Sequence, residues 1–144
     1  PEDYLLYVHD VDVNSRLGPD PVLREVLAAL PQRKAVFTNG STCHASRVLA
    51  ALGIEDIFED VYDIRVAAYL PKPWPEPYHA VLEKLGTPPE RCIMIEDSRE
   101  NLQTAKKLGM GTILVGDGQT PDFVDVHLDS AHHVSTGLRF WGQA

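Results

Sequence analysis

The stretch Lys34-Ala35-Val36-Phe37-Thr38-Asn39-Gly40-Ser41 decides how this chain is read. A short apolar run ending in Asn-Gly-Ser has the profile of a strand buried on both faces that breaks into a loop. A helix is expected to follow at once. Thr42 can cap it, Ala45, Val48, Leu49 and Leu52 form its apolar stripe, and Gly53 suits the left-handed position just past its end.

The same alternation extends in both directions. Upstream, Asp20-Pro21 opens an amphipathic stretch with Val22, Leu23, Val26, Leu27 and Leu30 at helical spacing, stopped by Pro31. Downstream, Phe58 to Ile64 is weakly strand-like. Tyr69-Leu70-Pro71-Lys72-Pro73-Trp74-Pro75 is too proline-rich for either regular element and must be a shaped loop. Pro75 to Leu85 reads as a helix with proline in its first turn, a stripe of Tyr78, Val81, Leu82 and Leu85, and Gly86 beyond. Cys92 to Ile95 is a strand, followed by Glu96-Asp97-Ser98 and a helix bearing Leu102, Ala105 and Leu108. Thr112 to Val115 is a further strand, and Phe123 to Leu128 an edge strand.

Strands alternating with helices of about ten residues predict right-handed crossovers and a mostly parallel α/β sheet, covered on both faces in three layers. Ligands bind such sheets beyond the carboxyl ends of the strands. At 144 residues the chain fits one domain. Residues 20–129 are expected to form the core, and residues 130–144, with His132 and His133, a flexible tail.

Composition removes several function classes. With 21 acidic against 13 basic residues the formal charge is −8, which opposes binding to a nucleic-acid polymer. No apolar run approaches the ~20 residues that span a bilayer, so no membrane partner is expected. The two cysteines, Cys43 and Cys92, have no C-x-x-C spacing and suggest neither a zinc site nor a disulfide scaffold. A reducing cytoplasm is the default. The start at Pro1, inside a structured pattern and without a visible signal sequence, is expected to be a truncated or processed end.

Three polar clusters fall at strand ends: Thr38-Asn39-Gly40-Ser41, Lys72 between two prolines, and Glu96-Asp97-Ser98 with Asn101 one turn on. Each has a plain structural alternative: a turn with a capping hydroxyl, a solvated loop lysine, and acids favouring a helix N-terminus. Together, in one crevice, they describe phosphoryl transfer. A hydroxyl and successive N–H groups hold phosphate oxygens, a lysine neutralises the transferring group, and paired carboxylates hold Mg²⁺.

FTNGS, PKPWPEPY and IEDSREN, in that order, resemble the second, third and fourth motifs of the haloacid dehalogenase superfamily. The segment VHDVDVNSRLGPDPVLREVL is similar to the pyrimidine 5′-nucleotidase-like group where the chain returns from a helical cap into the core. The resemblance implies a Rossmann-like core and a phosphate site of Thr38, Asn39, Gly40 and Lys72, with Thr38 and Lys72 serving catalysis. It further implies Mg²⁺ held directly by Asp97 with Glu96 assisting, and support from Ser98 and Asn101. The substrate implied is a small phosphorylated metabolite of the nucleotide 5′-monophosphate type.

The family's first motif, an aspartate nucleophile followed two residues later by an acid–base aspartate, belongs on the central strand. Here the apolar run Tyr4 to Val8 ends in His9-Asp10-Val11-Asp12, but Val13-Asn14-Ser15 follows where Gly or Asn with Thr is expected. The interval to Thr38 also leaves no room for a cap. Residues 1–19 are therefore read as the end of a cap and its return linker, and the sheet as lacking its first strand. On this reading the nucleophile lies before Pro1, the chain turns over little or no substrate, and an exposed apolar face favours self-association.

A non-catalytic binding remnant is the competing class. A phosphoacceptor signalling domain is disfavoured by chain order, because there the acidic pair comes first and lysine last. Trp74 and Tyr78 could contact a substrate base, but packing is the favoured expectation for both. His44 could reach the site, with its helix surface the favoured place, and His127, His132 and His133 make no metal-ligand spacing.

Overall fold

The computed structural model describes residues 5–8 and 18–142. Six strands form one sheet in the order β3-β2-β1-β4-β5-β6, and every neighbouring pair is parallel. They are β1 (Leu5–Val8), β2 (Arg33–Phe37), β3 (Asp60–Tyr62), β4 (Cys92–Glu96), β5 (Gly111–Val115) and β6 (Val126–Leu128). The helices are α1 (Pro21–Ala29), α2 (Thr42–Leu52), α3 (Pro75–Leu85), α4 (Arg99–Lys107) and the single turn α5 (Val134–Gly137).

Side-chain alternation along the strands feeds two cores. Val36, Ile93, Ile95 and Ile113 point to the side covered by α1, α2 and the C-terminal segment, where Leu23, Leu27, Val48 and Leu49 meet them. Phe37, Met94 and Leu114 point to the side covered by α3 and α4, against Tyr78, Val81, Leu82 and Leu102. Because both faces are covered, β4 is buried at every position from Cys92 to Glu96. Such a strand reads as a continuous apolar run.

Helix boundaries follow local chemistry. Asp20 caps α1 by accepting from the N–H of Leu23 at 3.0 Å. Gly53 and Gly86 close α2 and α3 in the left-handed conformation, at φ 76° and 64°. Two expectations shift by a residue or a face. Ser41, not Thr42, caps α2, its Oγ accepting from the N–H of His44. Val22 is exposed, so the buried stripe of α1 is Leu23, Leu27 and Leu30.

Two larger expectations are corrected. The sheet does not lack a first strand: Leu5–Val8 occupies its centre, paired with β2 on one side and β4 on the other. The apolar run is visible in the sequence, but the residues after it pointed away from a core strand; the backbone donors and acceptors of both neighbours decide its place. The rest of the 1–19 segment, apart from Gly18 and Pro19, lies outside the described residues, and so do Asp10 and Asp12.

Nor do residues 130–142, the described part of the expected tail, hang free. Val134 and Leu138 are buried in the core beneath α1, and His132 Nε2 lies 2.7 Å from Asp20 Oδ2 at the α1 cap. Burial of two aliphatic side chains, worth about 1.5–3 kcal/mol each, holds the segment in place. Phe123 to Leu128 contributes only its last three residues to the sheet.

Candidate active site

Strand order reverses direction at β1, with β2 and β3 on one side and β4 to β6 on the other. That switch point opens a crevice at the carboxyl ends of the strands. Register aligns its walls. Val36 and Ile95 both pair with Val8, so Thr38 and Asp97 each stand two residues beyond the same level.

Thr38, buried at the end of β2, donates its N–H to the Tyr62 carbonyl at 2.9 Å. Its Oγ1 accepts from the N–H of Gly40 at 2.9 Å. Asn39 ties this loop to the proline loop: its Oδ1 accepts from the Lys72 N–H at 2.8 Å and its Nδ2 donates to the Lys72 carbonyl at 3.2 Å. The Lys72–Pro73 peptide is cis. Asn39 therefore acts through its side chain as the brace of the lysine loop, a role its place in a turn did not disclose.

Lys72 is buried, and its Nζ donates to the Phe37 carbonyl at 2.7 Å and to Glu96 Oε2 at 3.1 Å. The ammonium also sits 4.6 Å from the centre of the Phe37 ring, within cation–π range. Glu96 is engaged on both oxygens. Oε2 further accepts from Asn101 Nδ2 at 3.2 Å, and Oε1 from the N–H groups of Asp97 and Ser98 at 3.3 and 3.4 Å. Ser98 caps α4, and the buried Tyr78 hydroxyl donates to the Asn101 carbonyl at 2.7 Å. Burial pushes the Tyr78 phenol well above its ordinary range, so it stays a neutral donor.

The structure thus brings Thr38, Asn39, Lys72, Glu96, Ser98 and Asn101 into one connected network, with Asp97 exposed at its mouth. Hard cations such as Mg²⁺ take one or two carboxylates and keep several waters, a demand that Asp97 fits. Glu96, committed to Lys72, Asn101 and two N–H groups, fits a role through water. Among the described residues no group of three or more His, Cys, Asp or Glu side chains comes together.

Asp63 is the residue that sequence reasoning missed. Its Oδ2 accepts from the N–H and hydroxyl of Thr42, at 3.1 and 2.8 Å, and from the Arg65 guanidinium at 2.8 Å. Ile64 adds an N–H donated to the Gly40 carbonyl. These contacts clamp the Thr38–Ser41 loop and the start of α2 to the end of β3. The Arg65 guanidinium holds the Asp63 carboxyl well below the usual carboxylate range. The only signal in the sequence was an aspartate closing a weak strand pattern. An open groove of about 550 Å³, lined by Asp60, Tyr62, Asp63, Arg65 and Lys84 among others, runs along this sheet edge and contains none of the strand-end cluster residues predicted from the sequence.

A second clamp holds the loop after β5. Arg99, the first residue of α4, donates to the carbonyls of Asp117 and Gln119. His127 bridges Thr120 and the Gly116 carbonyl, each at 2.6 Å. Because a carbonyl only accepts, Nε2 carries a proton and donates to it.

The family profile described as haloacid dehalogenase-like hydrolase matches residues 2–109. This chain belongs to that family. It is similar to a phosphoglycolate phosphatase of Pectobacterium atrosepticum, 34% identical over 113 residues that cover 74% of this chain and 46% of the relative. Among solved structures, it resembles the L-2-haloacid dehalogenase of Xanthobacter autotrophicus, with a TM-score of 0.74, 22% identity, and coverage of 90% and 63%. A protein described as a predicted phosphoglycolate phosphatase from Haemophilus somnus gives a TM-score of 0.68 at 26% identity, covering 84% of this chain and 56% of its own. The chain spans about half the length of the curated relatives it matches. Among the described residues no helix is long and apolar enough to cross a membrane.

Proposed function

We propose that this chain is the phosphate- and metal-binding core of a Mg²⁺-dependent phosphomonoesterase that takes a small phosphorylated metabolite of the nucleotide 5′-monophosphate type. The observation that carries the reading is the connected network from Thr38 through Asn39 and Lys72 to Glu96 and Asn101 at the switch point of the sheet. A buried lysine held there by a carboxylate is costly unless its charge is used, because desolvation offsets much of the pair's attraction.

In this reading the Thr38 hydroxyl and the Asn39 N–H hold phosphate oxygens, and the Gly40 N–H, which donates to Thr38 Oγ1, orients that hydroxyl. Lys72 balances their charge, and Glu96, Asn101 and the Asn39 side chain keep Lys72 aimed. Asp97 holds Mg²⁺, which supplies Lewis-acid stabilisation to the phosphate oxygens. The family's chemistry is attack by an aspartate to give an aspartyl-phosphate, followed by hydrolysis. Turnover by this chain is proposed to be low, because Val13-Asn14-Ser15 departs from the pattern that follows the nucleophile. A reducing cytoplasm is proposed as its compartment, since Cys43 and Cys92 stand outside any C-x-x-C spacing.

One observation favours a second reading, in which Asp10 is the nucleophile. Asp10 lies two residues beyond Val8 in sequence, as Thr38 and Asp97 lie two beyond Val36 and Ile95. Phosphate release from a nucleoside monophosphate, with and without Mg²⁺, tests both. Activity abolished by Asp10→Asn establishes the second reading, whereas inorganic phosphate binding lost in Thr38→Ala and Lys72→Ala without turnover in the parent chain supports the first. Unchanged phosphate binding in both variants refutes the assigned site.

A further inference from the structure

Among the described residues four large hydrophobic side chains are exposed: Val22 at 54%, Tyr69 at 67%, Trp74 at 57% and Phe140 at 61%. They belong to three separate segments, α1, the proline loop and the C-terminal segment. Two of them bracket Lys72, three residues before it and two after. Tyr78, four residues beyond Trp74, is by contrast fully buried and packs edge-on against Phe37 at 5.3 Å. The same short stretch therefore places one aromatic in the core and leaves two in water.

The exposed pair sits on a braced loop. Trp74 donates its N–H to the Pro71 carbonyl at 3.0 Å, and the Thr104 hydroxyl donates to the Pro73 carbonyl at 2.7 Å. Pro71, Pro73 and Pro75 each fix φ, and Asn39 holds the Lys72 backbone on both sides. Ala68 and Tyr69 both adopt positive φ, 50° and 70°. Such backbone is unfavourable for a bulky side chain, and strain of this kind collects at ligand sites. Burial of the Tyr69 ring does not repay it. Between Arg65, which is engaged with Asp63, and Lys84, the only cation is the buried Lys72. The rim thus offers flat apolar rings, with the Arg65 guanidinium, paired to Asp63, beside Tyr69.

We propose that Tyr69 and Trp74 are specificity residues that form an aromatic rim beside the phosphate site and stack on the ring of a nucleobase-bearing phosphomonoester. The inference rests on the phosphate site proposed above and assigns the organic half of the same substrate. Stacking of a base on an aromatic side chain contributes about 1–3 kcal/mol, a preference of roughly 5- to 150-fold.

Calorimetric titration of the intact chain in Mg²⁺ with inorganic phosphate, ribose 5-phosphate and adenosine 5′-monophosphate tests it. Adenosine 5′-monophosphate is expected to bind about tenfold more tightly than ribose 5-phosphate. Trp74→Ala or Tyr69→Ala removes that preference and leaves inorganic phosphate affinity unchanged, and Trp74→Phe retains most of it. Equal binding of the two organic phosphates by the parent chain overturns the rim, as does an unchanged preference in both alanine variants. If the preference holds but inorganic phosphate binding is indifferent to Lys72→Ala and Thr38→Ala, the rim stands and the phosphate site is wrong. If phosphate binding needs Lys72 and no ring preference exists, the rim alone fails. A parent chain that binds none of the three probes refutes both.

Discussion

Lys72 and Glu96, 24 residues apart in sequence, form an ion pair of 3.1 Å with both side chains fully buried. Removing one partner leaves a charge in a low-dielectric interior, a loss that costs about 3–5 kcal/mol. Glu96→Ala is expected to lower unfolding free energy by that amount in urea titration. Glu96→Gln, which keeps the acceptor for Lys72, costs less. If Glu96→Ala unfolds like the parent chain, the pair is not held as described.

Asp97 stands next to Glu96 but is exposed, so the two carboxylates separate by assay. Asp97→Asn is expected to leave stability within about 0.5 kcal/mol of the parent chain, as surface changes do. It weakens Mg²⁺ binding at least tenfold in calorimetry. Unchanged Mg²⁺ affinity in Asp97→Asn removes it as a ligand.

The clamp at Asp63 carries a pH signature. Its carboxyl titrates well below the ordinary carboxylate range because of Arg65. A lowered folded-state pKa contributes stability that is present above the unfolded value, near 4, and is lost as pH falls through the folded value. Asp63→Asn is therefore expected to cost about 1–3 kcal/mol at pH 7 and progressively less below pH 4. An equal cost at pH 7 and pH 2.5 in matched denaturation curves contradicts the clamp.

Gly118 adopts φ 98°, and a Cβ built there would lie 2.6 Å from Arg99 Nη2. Gly118→Ala is expected to lose about 1–3 kcal/mol through backbone strain and through displacement of the guanidinium from the Asp117 and Gln119 carbonyls. Hydrogen exchange checks this, with faster exchange over residues 116–121 and none over β2.

Leu138 is completely buried against the core beneath α1. Leu138→Ala is expected to destabilise by about 2–5 kcal/mol, the usual range for a large-to-small core change. A change under 0.5 kcal/mol means that the C-terminal segment does not pack as described.

Local chemistry alone determined much of this protein. Pro21 and Pro75 start α1 and α3, Gly53 and Gly86 stop α2 and α3, and apolar runs such as Ala35 to Phe37 and Cys92 to Ile95 mark strands buried on both faces. Each works within one or two turns of chain, by fixing φ, permitting positive φ or removing apolar surface from water. The strand-end clusters were legible for the same reason: polar residues that interrupt buried runs have few other places to be.

Tertiary structure decided the partners. Nothing near Glu96 in sequence says that its carboxylate will hold Lys72 instead of facing solvent beside Asp97. Nothing near Asn39 says that its amide will brace a loop 33 residues away. The centre of the sheet went to an apolar run whose strand partners no local pattern names, and Asp63 became a clamp only when β3 lay against the start of α2. Trp74 and Tyr78 share one short segment and end in water and in the core. Such outcomes depend on which donors, acceptors and apolar surfaces remain unsatisfied once the sheet has closed, a condition that no local window contains.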